Sequence, residues 1–144
     1  MTVNGKTLKD RATILIAEDD EGHAFLIRKN LSRHGIENPV ILFTDGQEVM
    51  DFFTAPSGVR GHVYDRGTRY LLLLDVRMPK IDGTEVLRRL KSIEHLKMMP
   101  VIMVTTTEDP VDVEKCRSLG CTGYITKPVD YGKLTKAIEN TGLL

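Results

Sequence analysis

The sequence predicts an α/β domain, a doubly wound parallel sheet of five strands covered by helices on both faces. Three observations predict it. Short β-branched or leucine-rich runs alternate with helical segments five times, a rhythm that implies right-handed crossovers in a layered α/β architecture. The strand runs are apolar throughout rather than alternating, which suits strands buried on both faces. The helical segments are amphipathic, with apolar residues recurring at helical spacing.

Taken in order, residues 1–11 are polar and read as a loose arm ahead of the domain. The first strand runs from Thr13 to Ala17. Ala24, Ile27 and Leu31 mark the first helix, with Asp20 placed to cap its start and Gly35 at the position where helices stop. The second strand runs from Val40 to Thr44, and a second helix follows. The segment 54–69, TAPSGVRGHVYDRGTR, then breaks the rhythm with three glycines, a proline and three arginines. A connection of that length is uncommon in a compact domain; it reads as a mobile surface loop, with a partner contact as the other reading. Tyr70 to Leu74 form the third strand, and Val86, Leu87, Leu90 and Ile93 stripe the third helix. Val101 to Thr105 form the fourth strand, and Val113, Cys116 and Leu119 mark a helix that Gly120 ends. Tyr124 to Thr126 make the fifth strand, and Tyr131, Leu134 and Ile138 the last helix. Only a few residues remain, so no output domain is expected after residues 12–144.

The 144 residues suit one domain with a sizeable core. Twenty basic and twenty acidic residues cancel, which offers no electrostatic case for binding nucleic acid or an anionic membrane surface. The opening MTVNGKTLKDRAT holds no apolar run for a signal peptide. Nothing approaches the roughly 20 apolar residues that span a bilayer, so the cytoplasm is the expected location. Cys116 and Cys121 are five apart, match no common zinc spacing, and read as reduced, semi-buried thiols.

The chemistry lies at the strand ends. In an open α/β sheet, ligands bind outside the carboxyl ends of the strands, at the point where the chain order reverses. Glu18, Asp19 and Asp20 close the first strand, Asp75 closes LLLLD, Thr105 closes VIMVT, and Lys127 follows GYIT. Asp75 must lie at the wet end of its strand, because an unpaired buried charge is prohibitively costly. A carboxylate there can attack phosphorus and become an aspartyl phosphate. At most two of the three acids at 18–20 can face one site, since successive strand residues point to opposite sides. Clustered carboxylates call for a hard divalent cation, and Mg²⁺ suits a site where phosphate supplies further oxygens. An ammonium and a hydroxyl can stabilise a transferring phosphoryl group. Lys127 precedes Pro128, which disfavours helix at the lysine, and a Lys-Pro bond can be cis.

The strings ILIAEDDE, LLLLDVRMPKIDG, PVIMVTTTED and GYITKPVD together resemble the receiver domain of two-component response regulators, from Ala12 to the C-terminus. The resemblance implies a flavodoxin-like receiver fold with strand order 2-1-3-4-5. It implies Asp75 as phosphoacceptor, and Mg²⁺ held by Glu18, Asp19, Asp75 and the backbone carbonyl of Arg77. Thr105 would be the switch threonine, Lys127 the conserved-type lysine, and Tyr124 the aromatic that turns inward when the threonine moves. Arg77 and Thr107 would flank the phosphoryl group and tune its lifetime. The first acid is Glu where many members have Asp. The insertion before the third strand, with GIENPV, DGQEVMDFF and TTTEDP, further resembles single-domain regulators that serve phytochrome-type and related sensor histidine kinases.

On that resemblance the chain is no turnover enzyme. It takes a phosphoryl group from a kinase and signals through the face of its fourth helix, fifth strand and fifth helix, by binding a partner or by forming a homodimer. Two alternatives share elements of the pattern. A haloacid-dehalogenase-type phosphatase also forms an aspartyl phosphate, but wants an acid two residues after the nucleophile, where this chain has Arg77. A receiver kept as an unphosphorylated scaffold would not need the complete set of acids, threonine and lysine.

Overall fold

The computed structural model describes residues 2–3, 6–7 and 11–143. Five parallel strands form one sheet: β1 (Thr13–Ala17), β2 (Val40–Phe43), β3 (Tyr70–Leu74), β4 (Val101–Thr105) and β5 (Gly123–Thr126). Their spatial order is β2-β1-β3-β4-β5. The helices are α1 (Glu21–Arg33), α2 (Gly46–Thr54), α3 (Gly83–Lys91), α4 (Pro110–Ser118) and α5 (Tyr131–Glu139). Ahead of the sheet, Thr2–Val3 pairs antiparallel with Lys6–Thr7; most of the predicted arm lies outside the described residues.

The period of two along each strand divides the core. Leu15, Ala17, Leu72, Leu74, Val101 and Met103 face one side, packed with Val49, Phe52, Leu87, Leu90 and Cys116 of α2, α3 and α4. Ile14, Ile16, Leu71, Leu73, Ile102 and Val104 face the other, against Ile27, Leu31, Leu134 and Ile138 of α1 and α5. Each fully buried leucine or isoleucine contributes ~1.5–3 kcal/mol, so a strand slipped by one residue would exchange its two faces and lose both fits.

Each helix starts on an aspartate. Asp20, Asp45, Asp82, Asp109 and Asp130 accept from backbone N–H groups in the first turns of α1 to α5. Helix α1 ends as its sequence predicts: the Gly35 N–H donates to Ser32 and the Ile36 N–H to Leu31, with Gly35 at φ 83°.

Boundaries differ from expectation in four places, one of them Leu119, which caps α4 rather than lying within it. β2 stops at Phe43, because the N–H and hydroxyl of Thr44 turn to the Glu48 carboxylate at 2.7 and 3.0 Å. β5 begins at Gly123, abreast of Ile102. α3 ends at Lys91, so Ile93 falls beyond it, ahead of a 3₁₀ turn over Glu94–Leu96. The segment 54–69 is not a free loop. Val59 is buried, and the Arg60 guanidinium donates to Glu48 and to the Leu42 carbonyl. Tyr64 meets Phe53 edge-on at 5.2 Å and stacks on His95 at 5.8 Å. Two apolar anchors in a Gly- and Arg-rich string hold it to the core.

Candidate functional site

Strand register builds the site. Ala17 stands abreast of Leu74, so the next residues, Glu18 and Asp75, leave the sheet side by side, the Asp75 N–H donating to the Ala17 carbonyl. Thr105 stands abreast of Thr126, and the Lys127 N–H donates to the Thr105 carbonyl at 2.8 Å. The Lys127–Pro128 peptide is cis. Gly83, at the start of α3, lies so close behind the phosphoacceptor candidate that a Cβ there would sit 1.9 Å from the Asp75 carbonyl oxygen; only glycine lets the helix begin there.

Asp75 is more enclosed than a strand-end carboxylate was expected to be, at 4 % exposure, and Glu18 is at 3 %. Their charges are tolerated because they are paired. The Lys127 ammonium donates to Glu18 Oε2 at 2.7 Å and to Asp75 Oδ2 at 2.8 Å. The Arg77 N–H donates to Asp75 Oδ1 at 3.1 Å. Burial pushes the Glu18 carboxyl up to about 7, against the pull of Lys127, and the neighbouring Asp75 adds to the rise. Burial opposes the charge on Lys127, but its bonds to the two carboxylates outweigh this and raise its pKa.

One carboxylate oxygen each from Glu18, Asp19 and Asp75 lies within 4.8 Å of the others. Asp20 is set apart as the cap of α1, so two of the three consecutive acids face the pocket, as strand geometry requires. Three carboxylates against one ammonium leave the cluster net negative, and all its donors are hard oxygens. A divalent cation of the Mg²⁺ type fits that set.

The remaining predicted residues form a second cluster beside the first. Arg77 Nε donates to the Thr107 hydroxyl at 3.3 Å, and the Thr107 N–H reaches the Thr105 hydroxyl at 3.4 Å. The Tyr124 hydroxyl donates to the Thr107 carbonyl at 2.8 Å, its ring half-buried against the α3–α4 side of the core, where burial pushes its pKa up to about 12. Thr105 is fully buried, its carbonyl accepting from the Lys127 N–H. By its bond to the Thr107 carbonyl, Tyr124 is already turned in.

One residue of the site escaped the sequence reading. His23 puts Nδ1 3.5 Å from Glu18 Oε2. A signal existed. His23 is the third residue of a helix capped by Asp20, and a side chain at that position reaches back over the helix start. Here the start is the acidic strand end.

The family model for the response regulator receiver domain matches residues 14–139. A curated relative, the probable methanogenesis regulatory protein FilR2 of Methanothrix harundinacea, is 31 % identical over 131 residues, covering 91 % of this chain and 81 % of its own. The phosphorylated cyanobacterial phytochrome response regulator RcpA superposes with a TM-score of 0.74 at 28 % identity, covering 90 % of each chain. The Mn²⁺-bound form of response regulator Rcp1 does so with a TM-score of 0.71 at 29 % identity, also over 90 % of each.

Proposed function

The chain belongs to the response regulator receiver family, and on that premise we propose that it accepts a phosphoryl group on Asp75 from a sensor histidine kinase, with Mg²⁺ as cofactor. The observation that carries this reading is the Lys127 ammonium bridging Glu18 and Asp75 at 2.7 and 2.8 Å, with Asp19 in the same cluster.

An Asp75 carboxylate oxygen attacks the phosphorus of a phosphohistidine. The P–N bond breaks, and its electron pair leaves on the imidazole nitrogen. The Arg77 N–H holds Oδ1 and the Lys127 ammonium holds Oδ2, so whichever oxygen attacks must first give up one of these bonds. Lys127 stays within reach to neutralise charge on the transferred group. Glu18, Asp19, Asp75 and the Arg77 carbonyl would hold Mg²⁺, which supplies charge neutralisation for a phosphoryl oxygen when bound. Arg77 and Thr107, bonded to each other, tune the lifetime of the product by where they stand at the pocket's rim. Receiver domains of this kind are generally not turnover enzymes, and the aspartyl phosphate is a state rather than a product to be released.

Thr105, drawn to the phosphoryl group, would release the Thr107 N–H, while Tyr124 keeps the inward position it already holds through its bond to the Thr107 carbonyl. Phosphorylation thereby favours one arrangement of the α4-β5-α5 face over another. The resemblance to RcpA supports a phytochrome-type kinase as partner. Among the described residues no helix is long and apolar enough to cross a membrane, in keeping with a cytoplasmic role.

Labelling by acetyl phosphate over a range of Mg²⁺ concentrations tests the reading. Asp19→Asn is expected to raise the Mg²⁺ requirement by ~10-fold or more, at least the effect of losing an outer partner of a metal ligand. Its metal-free form is expected to be more stable than the parent, because one source of repulsion is gone. Equal Mg²⁺ affinity in the two proteins would remove the acidic pair from the metal site.

The output face carries Lys115, Arg117, Asp130, Lys133 and Lys136, all exposed. A two-fold interface there would match Asp130 with a basic residue of a second copy. Such exposed pairs contribute only ~0–1 kcal/mol each, so Val111, 73 % exposed on α4, would have to add apolar contact. The expected dimer is modest in affinity, weakened by salt and tightened by beryllofluoride. Sedimentation that finds a monomer at high micromolar concentration under all these conditions would leave a heterologous partner as the output.

A further inference from the structure

We propose that Lys80 is a positioning residue for the phosphoryl-accepting site: its ion pair with Asp45 fixes the loop 76–82, and that loop presents the Arg77 backbone to Asp75. This rests on the reading of Asp75 as phosphoacceptor.

The loop between β3 and α3 turns at Pro79, Lys80 and Ile81, where the Ile81 N–H donates to the Pro79 carbonyl at 2.8 Å. Lys80 stands at φ 68°, in the left-handed region that glycine enters freely and other residues enter at a cost. Three-residue turns of this hand are rare and strained, and such strain persists only where the surroundings hold it. The chain nevertheless carries a lysine here, so the side chain has to offer something glycine lacks. Its ammonium lies 3.4 Å from Asp45 Oδ2.

Asp45 is a fixed point. It is buried, and its other oxygen caps α2, accepting from the Glu48 N–H at 2.8 Å. The next residue seats the turn: the Gly46 N–H donates to the Pro79 carbonyl at 3.4 Å, and a Cβ on Gly46 would stand 1.9 Å from the Ile81 carbonyl oxygen. At the far end of the loop the Gly83 N–H donates to the Val76 carbonyl at 2.8 Å. Between these two anchors lies Arg77, whose N–H donates to Asp75 Oδ1 and so orients the carboxylate. Pro79 and Lys80 are exposed, so burial contributes little to holding the turn. The pair with Asp45 and the contacts of Gly46 hold it instead.

The test is the initial rate of labelling by acetyl phosphate at saturating Mg²⁺. Six proteins are compared: the parent, Lys80→Ala, Lys80→Arg, Asp45→Asn, the double variant Lys80→Ala with Asp45→Asn, and Asp75→Asn. Asparagine at 45 keeps the cap of α2 and removes only the charge; arginine at 80 keeps the charge. Lys80→Ala and Asp45→Asn are each expected to label ~2- to 5-fold more slowly, the reach of an exposed pair. The double variant is expected to be no slower than either single one, because both act through one interaction. Lys80→Arg is expected to label like the parent, and the deficits are expected to narrow at high salt. A merely structural role would lower the unfolding temperature and leave the rate of the folded protein unchanged. Lys80→Ala labelling as fast as the parent overturns the proposal. So does a double variant whose two effects multiply, or Lys80→Arg as slow as Lys80→Ala. If Asp75→Asn stays unlabelled while the other variants match the parent, only the role of the pair fails. If Asp75→Asn labels like the parent, the phosphoacceptor reading fails and takes the role of Lys80 with it.

Discussion

Asp75→Asn is expected to abolish phosphorylation. Acetyl phosphate with Mg²⁺ should add one phosphoryl group to the parent, read as a mass increase, and none to the variant. The substitution changes little else. Asparagine keeps the shape and still offers an oxygen to the Arg77 N–H, which donates to Asp75 Oδ1 at 3.1 Å. It loses the anionic oxygen that attacks phosphorus, which an amide does not replace. It loses both the repulsion against Glu18 and the ion pair with Lys127, whose ammonium keeps Glu18 at 2.7 Å, so the two effects on stability oppose each other and the variant is expected to stay folded. A label that persists in the variant would move the phosphoacceptor elsewhere, and full labelling in EDTA would overturn the metal requirement.

The second large effect is at Lys127. Lys127→Met keeps much of the stem's packing but leaves Glu18 and Asp75, 3 % and 4 % exposed, without their shared cation. Removing one partner from a buried charge cluster costs on the order of 3–5 kcal/mol. Part of that loss is avoidable, because Glu18, already pushed up to about 7, would be pushed further and hold its proton. The sign follows. At pH 6 the variant can protonate Glu18 and the penalty is small; as pH rises past 8 the proton is lost and the penalty grows. Saturating Mg²⁺ is expected to recover part of it by binding only the folded state. Phosphorylation of the variant is expected to slow by ~10²–10³-fold, the usual loss when one preorganised stabiliser of transition-state charge is removed. Urea unfolding in EDTA across this pH range, alongside labelling rates, decides it. Equal stability and equal rate would leave Lys127 without a role in the site.

How much of this could be read from the chain varies by residue. The five strands and five helices follow from apolar runs and stripes, since burial on two faces demands them locally, and all five strands lie where the residues put them to within a residue. The ends of β2 and α3 were less legible. Thr44 chooses between the ladder and the Glu48 carboxylate, and Ile93 between a longer helix and a 3₁₀ turn. Neighbours in space settle both. The segment 54–69 misled because its glycines and arginines dominate its composition, while Val59 and Tyr64, which anchor it, are two residues among sixteen.

The sequence by itself determined the fold class, the start of the first helix on Asp20, and which residues end the strands of a parallel sheet. These depend on local propensity and on periodicity, which are properties of adjacent residues. It also placed Glu18, Asp75, Thr105 and Lys127 at one edge, because every parallel strand ends on the same side. Only the tertiary structure decided how those residues pair. Lys127 is 109 residues from Glu18 and 52 from Asp75. That it bridges both follows from the register of β3 against β1 and of β5 against β4, which the packing of whole faces sets. The same holds for the depth at which Asp75 is buried, for Tyr124 reaching the Thr107 carbonyl, and for His23 meeting Glu18. Hydrogen bonds and charges act over a few ångströms, and only the folded chain brings such distant residues that close.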